Sequence, residues 1–253
     1  MSFRTGGALY DPNAEPRGAP VGLLGFMRTG GALPPEVDNT EHAVERVDQE
    51  DEGCVGHALG GAIDATADAA GVKIRVSQRA IYKGALQLEL PHARTLPDRG
   101  SYPEKAVDWI STFGVVDRER CPEDSDITKP LGQEVLEAGS LSVVEGIYRI
   151  DETGEAQRLA VMKAINAKHF VFFAMDVDAS YEDYHGGVWT GPKGELKGGH
   201  AQFAAGYTLE GLLIINSWGR TWGRNGISII AWRHFLARCR NKYVVKLAPQ
   251  VLL

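Results

Sequence analysis

The chain has 253 residues, 43% of them hydrophobic and 24% charged, with a formal net charge of −6. This ordinary globular balance excludes disordered and fibrous classes, and the lack of a basic stripe interleaved with aromatics excludes nucleic acid as a partner. No apolar run approaches the roughly 18 residues of a membrane span, and three cysteines, an odd count, do not make a disulfide framework.

The opening residues lack a basic stretch followed by an apolar core, so no secretory signal is read. With so few cysteines, the expected setting is cytoplasmic or otherwise intracellular and reducing. Residues 1–38 are rich in Gly, Pro and Ala without helical or strand period, and read as a flexible N-terminal arm. Within it the hexapeptide Arg-Thr-Gly-Gly-Ala-Leu occurs twice, at Arg4–Leu9 and Arg28–Leu33. The pair reads as a duplicated linker or as a recognised or self-processed sequence.

From Gly53 the pattern turns helical, with Cys54, Ala58, Ile63 and Ala67 along one side and Gly71 as a stop. Ser77 caps a second predicted helix running to about Leu88. Pro103 opens a third, with Ala106, Trp109, Ile110 and Phe113 at helical spacing and Gly114 at its end. Leu141–Ile147 and Phe170–Val177 read as strands, separated by a helix over Glu155–Asn166. Short apolar runs follow at Ala201–Thr208, Leu212–Asn216, Gly226–Ala231 and Tyr243–Leu247, which suggests an antiparallel, strongly curved sheet. A helical lobe (about 48–138) followed by a β lobe (about 139–253) makes the fold class α+β, with a cleft between lobes as the natural site.

Three elements carry chemistry. In Gln49-Glu-Asp-Glu-Gly-Cys54-Val-Gly-His-Ala a cysteine opens a helix, where the dipole favours thiolate. In Gly198-Gly-His200-Ala a histidine enters an apolar strand. The third is Ile215-Asn216-Ser-Trp218-Gly-Arg-Thr-Trp222-Gly-Arg-Asn-Gly226. A thiol nucleophile needs a base within hydrogen-bond reach, and the base needs a partner that fixes its tautomer. Cys54, His200 and Asn216 supply those parts. Trp218 is expected over the Asn–His contact, excluding water. The acids Glu50, Asp51 and Glu52 act the other way, raising the thiol pKa.

The segment from Ile214 to Ile229 resembles the asparagine-bearing motif of the papain family of cysteine peptidases, whose usual form is Lys-Asn-Ser-Trp-Gly, three variable positions, then Gly-Glu-Asn-Gly. The 16-residue step from His200 to Asn216, Gly206-Tyr207, Tyr184-His-Gly-Gly-Val-Trp189 and Gly100-Ser-Tyr-Pro103 fit the same pattern, collinear over about 36–247. The resemblance implies a papain-like two-lobe fold with a helical lobe, an antiparallel β-barrel-like lobe and a cleft between them, the catalytic domain being 39–253. It implies Cys54 as nucleophile, His200 as base and then acid, and Asn216 as orienter. Gln49 and the Cys54 N–H would form the oxyanion hole, and Gly100, Ser101, Gly199 and Trp218 would line the substrate cleft. Peptide-bond hydrolysis through a thioester is the implied reaction, on a peptide or protein substrate, with no cofactor, metal or membrane. An acyltransferase or amidase on the same triad, or an inert peptide-binding relative, are the alternatives.

Departures from the pattern are local. The glutamine precedes the cysteine by five positions, where the family usually has six. The common Cys-Gly-Ser-Cys-Trp is Asp51-Glu-Gly-Cys54-Val55, so the disulfide beside the nucleophile cannot form. Nothing resembles a long helical pro-region. The arm remains a candidate occupant of the cleft. His57 reads as a core or lobe-packing residue, Asp176 and Asp178 as solvated strand ends, and Cys121 and Cys239 as buried thiols. His169 and His185 lack metal-ligand spacing.

Overall fold

A computed structural model describes residues 6–28, 30–139 and 143–248. The helical lobe is built from α1 (Cys54–Ala69), α2 (Gln78–Glu89) and α3 (Pro103–Phe113), with a short α4 (Gln133–Glu137). The Ser77 hydroxyl accepts the Ala80 N–H at 2.9 Å and so caps α2. Pro103 occupies the first turn of α3. α1 ends at Ala69, and Gly71 follows in the left-handed region at φ 78°. A side chain at Gly56 would meet the Gln78 carbonyl oxygen at 2.5 Å, so its absence lets α1 and α2 pack backbone to backbone.

The β lobe holds β1 (Ala19–Pro20), β2 (Val37–Asp38), β3 (Val144–Arg149), β4 (Val171–Asp178), β5 (Val188–Trp189), β6 (Leu196–Tyr207), β7 (Gly211–Ile215), β8 (Ile227–Ala231) and β9 (Arg240–Leu247). Three helices join them: α5 (Gly154–Asn166), α6 (Ala179–Glu182) and α7 (Trp232–Arg238). The strand order is β1-β3-β9-β4-β6-β7-β8-β5, with β2 added to β6. The central six strands pair antiparallel, and a parallel pair sits at each end, β1 on β3 and β5 on β8. Register shifts in four of these pairings bend the sheet. This is the expected α+β fold, although the sheet runs as an open, mixed path rather than purely antiparallel.

Residues 141 and 142 of the expected Leu141–Ile147 strand lie outside the described residues, and the observed strand starts at Val144. The short β1, β2, β5, α4 and α6 have no counterpart in the sequence reading, β9 starts three residues before the expected Tyr243, and two further elements differ from it. β6 begins at Leu196, five residues before the expected start, because β4 pairs with it through both glycines: Val177 faces Gly198 and Asp176 faces Gly199. α7 was hidden by the short apolar runs around it.

β4 is apolar on both sides because both are covered. Phe172 and Ala174 join α1 in one cluster, while Val171, Phe173, Met175 and Val177 join α5 in the other. The N-terminal segment runs across both lobes. Val21 and Leu24 are buried against the α5 side, Phe26 stacks on His169 at 4.9 Å, and β2 pairs with β6.

Candidate active site

Cys54 is the first residue of α1, and its side chain is fully buried between the lobes. Its Sγ accepts the backbone N–H of Ala201 at 3.4 Å, so the thiol touches the residue next to His200 in β6. His200 Nε2 lies 2.7 Å from Asn216 Oδ1, across the turn that joins β7 to the tryptophan loop. The same Oδ1 accepts the Ser217 N–H at 2.8 Å. That donor fixes Oδ1 as an acceptor, which assigns the imidazole proton to Nε2 and leaves Nδ1 with a free lone pair. Trp218 lies on the imidazole, with ring centroids 4.4 Å apart and planes 22° from parallel. Both rings are essentially inaccessible, so the His–Asn bond is dry.

His200 Nδ1 and Asn216 Nδ2 are buried without hydrogen-bond partners among the described residues. Nδ1 thus makes no hydrogen bond to the thiol in this arrangement. Gln49 sits behind the pair. Its N–H donates to the Ser217 carbonyl at 2.8 Å, its Oε1 accepts the Ser217 hydroxyl, and its Nε2 donates to the Asp51 carbonyl at 2.9 Å. One of the two amide protons expected at an oxyanion is therefore committed to the loop that leads to Cys54.

The cleft is not empty. Gly6, Gly7, Ala8 and Leu9, in the first copy of the hexapeptide, thread between its walls. The Gly6 and Ala8 N–H groups both donate to the Gly199 carbonyl, at 3.0 and 3.2 Å. The Ser101 N–H donates to the Gly7 carbonyl at 2.9 Å, and the Leu9 N–H donates to the Ser101 carbonyl at 3.1 Å. This alternation makes a parallel bridge between Ala8 and Ser101. Gly7 lies against Cys54: a Cβ there would stand 2.3 Å from the Glu52 carbonyl oxygen and 2.9 Å from Cys54 Sγ. The walls are bare for the same reason. A Cβ at Gly100 would meet Gly7, and one at Gly199 would meet the Ala8 carbonyl oxygen at 2.0 Å. Farther along, Arg240 stands over the Tyr10 ring at 4.8 Å and pairs with Asp176 at 2.7 Å.

Burial decides the charge state. It pushes the Cys54 thiol up to about 12; the Ala201 N–H opposes it, and Glu52 and Asp51 add to it. Burial likewise pulls His200 down to about 4, against the Asn216 hydrogen bond and with some help from His57. With the segment in place, thiol and imidazole are both neutral at pH 7, and the helix dipole does not overcome desolvation.

The acidic loop is organised. Asp51 is buried, accepts the Gly53 N–H at 2.7 Å and forms an ion pair with Arg79 of α2. Its carboxyl is held below the ordinary range despite burial, by His57, Arg79 and the Gly53 N–H. His57 is buried with Nδ1 2.6 Å from Gln78 Oε1 and Nε2 3.6 Å from Asp51. Asp178 corrects its reading as a solvated strand end. It is 2% exposed, because its carboxylate accepts the N–H groups of Lys193 and Gly194 and the Ser180 hydroxyl. Cys121 and Cys239 are buried free thiols. Among the described residues no group of three His, Cys, Asp or Glu side chains is placed to hold a metal.

Residues 97–244, more than half of the chain, match the model of the papain family of cysteine proteases. The chain belongs to that family. The matched stretch contains His200 and Asn216, whereas Cys54 lies upstream of it. Papain of Carica papaya is 27% identical over 127 residues, which is 50% of this chain and 35% of papain. Chymomexicain of Jacaratia mexicana is 26% identical over 51% of this chain and 57% of its own. The matches therefore span only about a third to just over half of those relatives. Among solved structures, the cysteine protease xylellain from Xylella fastidiosa superimposes with a TM-score of 0.76 at 18% identity, covering 97% of this chain and 98% of that one. Procathepsin B S9 of Trypanosoma congolense gives 0.72 at 17% identity, over 97% and 87%. At such identities these two share the papain-like fold.

Sequence reasoning did not find the contacts of Asp51 with Arg79, of Asp98 with Tyr82, or of Gln49 with Ser217. None carries a local pattern. The seat of Gly7 had one signal, the glycine pair inside a repeated motif.

Proposed function

We propose that this papain-family member is a cysteine peptidase held latent by its own N-terminal segment. The observation that carries the proposal is the bond from His200 Nε2–H to Asn216 Oδ1, with Nδ1 left unpartnered beside the Cys54 strand contact. In this reading an extended peptide replaces Gly6–Leu9 between Ser101 and Gly199. Nδ1 takes the Cys54 proton, and Sγ attacks the scissile carbonyl carbon. The resulting oxyanion lies by the Cys54 N–H and Gln49 Nε2. Collapse expels the amine, which leaves with the proton from His200, and the thioester remains. Water, deprotonated by His200, then releases the acid and restores the thiol. Asn216 and Trp218 hold the imidazole in its tautomer throughout.

Latency rests on the same geometry. In this reading the segment fills the place of the substrate, and Gly7 lies against the thiol. The test is iodoacetamide labelling of Cys54 from pH 4 to 9, with fluorogenic peptide turnover, on the chain opened by Gly7→Ala and on the same chain carrying His200→Ala. A labelling profile that depends on His200, and turnover lost by about 10²- to 10⁴-fold in the variant, are expected. A cysteine that labels only near pH 8.5, indifferent to His200 and without turnover even when the segment is displaced, would leave a peptide binder.

A further inference from the structure

The segment bearing Cys54 and the wall bearing Ser101 are joined through Asp98, and Tyr82 of α2 braces the joint. Asp98 Oδ1 accepts the backbone N–H of Glu52 at 2.9 Å and the Tyr82 hydroxyl at 2.9 Å. The Tyr82 oxygen in turn accepts the Gly100 N–H at 3.0 Å. Tyr82 is 1% exposed, and its ring lies so close under Gly53 that a Cβ there would meet Cδ1 at 2.8 Å. One turn earlier on the same helix face, Arg79 holds Asp51, whose carboxylate accepts the Gly53 N–H. Residues 52 and 53 are therefore gripped from two sides by α2 side chains acting through aspartates.

Asp51 stands where the family pattern usually has a cysteine, so no disulfide can tie this loop. The tie that is present contains no sulfur. It reaches directly to Gly100, whose neighbour Ser101 offers the N–H and carbonyl that pair with an extended chain.

We infer that Tyr82 is a positioning residue: with Asp98 it sets the distance between the Cys54 loop and the peptide-pairing edge at Ser101, as a redox-indifferent substitute for a covalent link. The inference rests on the peptidase reading above. Tyr82 touches neither the thiol loop's reacting atom nor the paired peptide. It accepts the Gly100 N–H itself and reaches the Glu52 N–H through Asp98. Burial and the adjacent Asp98 carboxylate both raise the phenol pKa, which keeps the hydroxyl protonated as a donor to Asp98.

The experiment compares Tyr82→Phe with the parent, both in a Gly7→Ala background whose Cys54 labelling rate first establishes that the cleft is open. Readouts are kcat and KM on a fluorogenic peptide, and hydrogen exchange at the Glu52 and Gly100 amides. Losing these bonds is expected to raise KM by about 5- to 30-fold, with kcat within about twofold, and to speed exchange at both amides. Dithiothreitol should leave the exchange pattern of the parent unchanged. Asp98→Asn keeps an acceptor oxygen and should retain the parental KM, whereas Asp98→Ala, at an exposed position that tolerates truncation, should copy Tyr82→Phe. Unchanged KM and exchange in Tyr82→Phe and Asp98→Ala would overturn the inference, as would a fall in kcat alone. If the parent labels at Cys54 as an open cleft yet has no turnover, the peptidase reading fails, while the exchange measurement still decides whether the tie exists.

Discussion

Gly7→Ala is the sharpest perturbation of the closed cleft. The added Cβ would stand 2.3 Å from the Glu52 carbonyl oxygen and 2.9 Å from Cys54 Sγ. The first neighbour is backbone and cannot swing away, so the segment itself must move. Four backbone hydrogen bonds hold residues 6–9. At about 0.5–1.5 kcal/mol each they contribute about 2–6 kcal/mol. Ordering four residues costs about 4–8 kcal/mol, and burial of Ala8 together with the Tyr10–Arg240 contact must offset the difference. A balance this close responds strongly to small losses. Losing two of the four bonds, about 1–3 kcal/mol, should raise the open fraction by about 5- to 150-fold. The assay is the rate of iodoacetamide labelling at Cys54 at pH 7, read by peptide mass spectrometry. Gly30→Ala is the control, since this glycine of the second hexapeptide has nothing within 4 Å of a built Cβ. Labelling of Gly7→Ala at the rate of Gly30→Ala would refute the reasoning and leave the segment without a gating role.

Three further outcomes are expected. If opening returns His200 from about 4 and Cys54 from about 12 toward their ordinary values of 6.5 and 9.0, the open form binds the extra proton below pH 6.5 and sheds one above pH 9. Closure should therefore be tightest between about pH 6.5 and 9 and loosen on either side, which a protease-accessibility profile of residues 6–9 across pH would show or refute. Trp218→Ala removes a side chain 1% exposed that covers the His200–Asn216 bond. It should cost about 3–5 kcal/mol of stability by denaturant titration, and an intact midpoint would contradict the packing described. Asp51→Ala strips Arg79 of its buried partner. A loss of about 3–5 kcal/mol is expected at pH 7. Because the Asp51 pKa is depressed, the deficit relative to wild type should shrink as pH falls below the ordinary 3.8.

Much of the scaffold follows from local pattern. Ser77, Pro103 and Gly71 mark helix ends through backbone hydrogen bonding and conformational freedom that act within a few residues. The family motif around Asn216 orders His200 and Trp218 along the chain, because a tautomer-fixing partner and its dry cover recur as a fixed string. Cys54 at a helix start was equally legible. Long-range contact was not. That Gly7 rather than Gly30 lies against Cys54 follows from where the chain is anchored, by β1 on β3 and by Phe26 on His169, and the hexapeptide itself is identical in both places. The sequence by itself determined the α+β class and singled out Cys54, His200 and Asn216 as the candidate site. Only the tertiary structure decided their protonation, because pKa values depend on burial, and here Trp218 stacks on the imidazole while Gly7, 47 positions away in the chain, lies against the thiol. It also decided that Asp51 and Asp98 brace the loop rather than merely crowd it, since a carboxylate's effect depends on the donors that other elements bring to it.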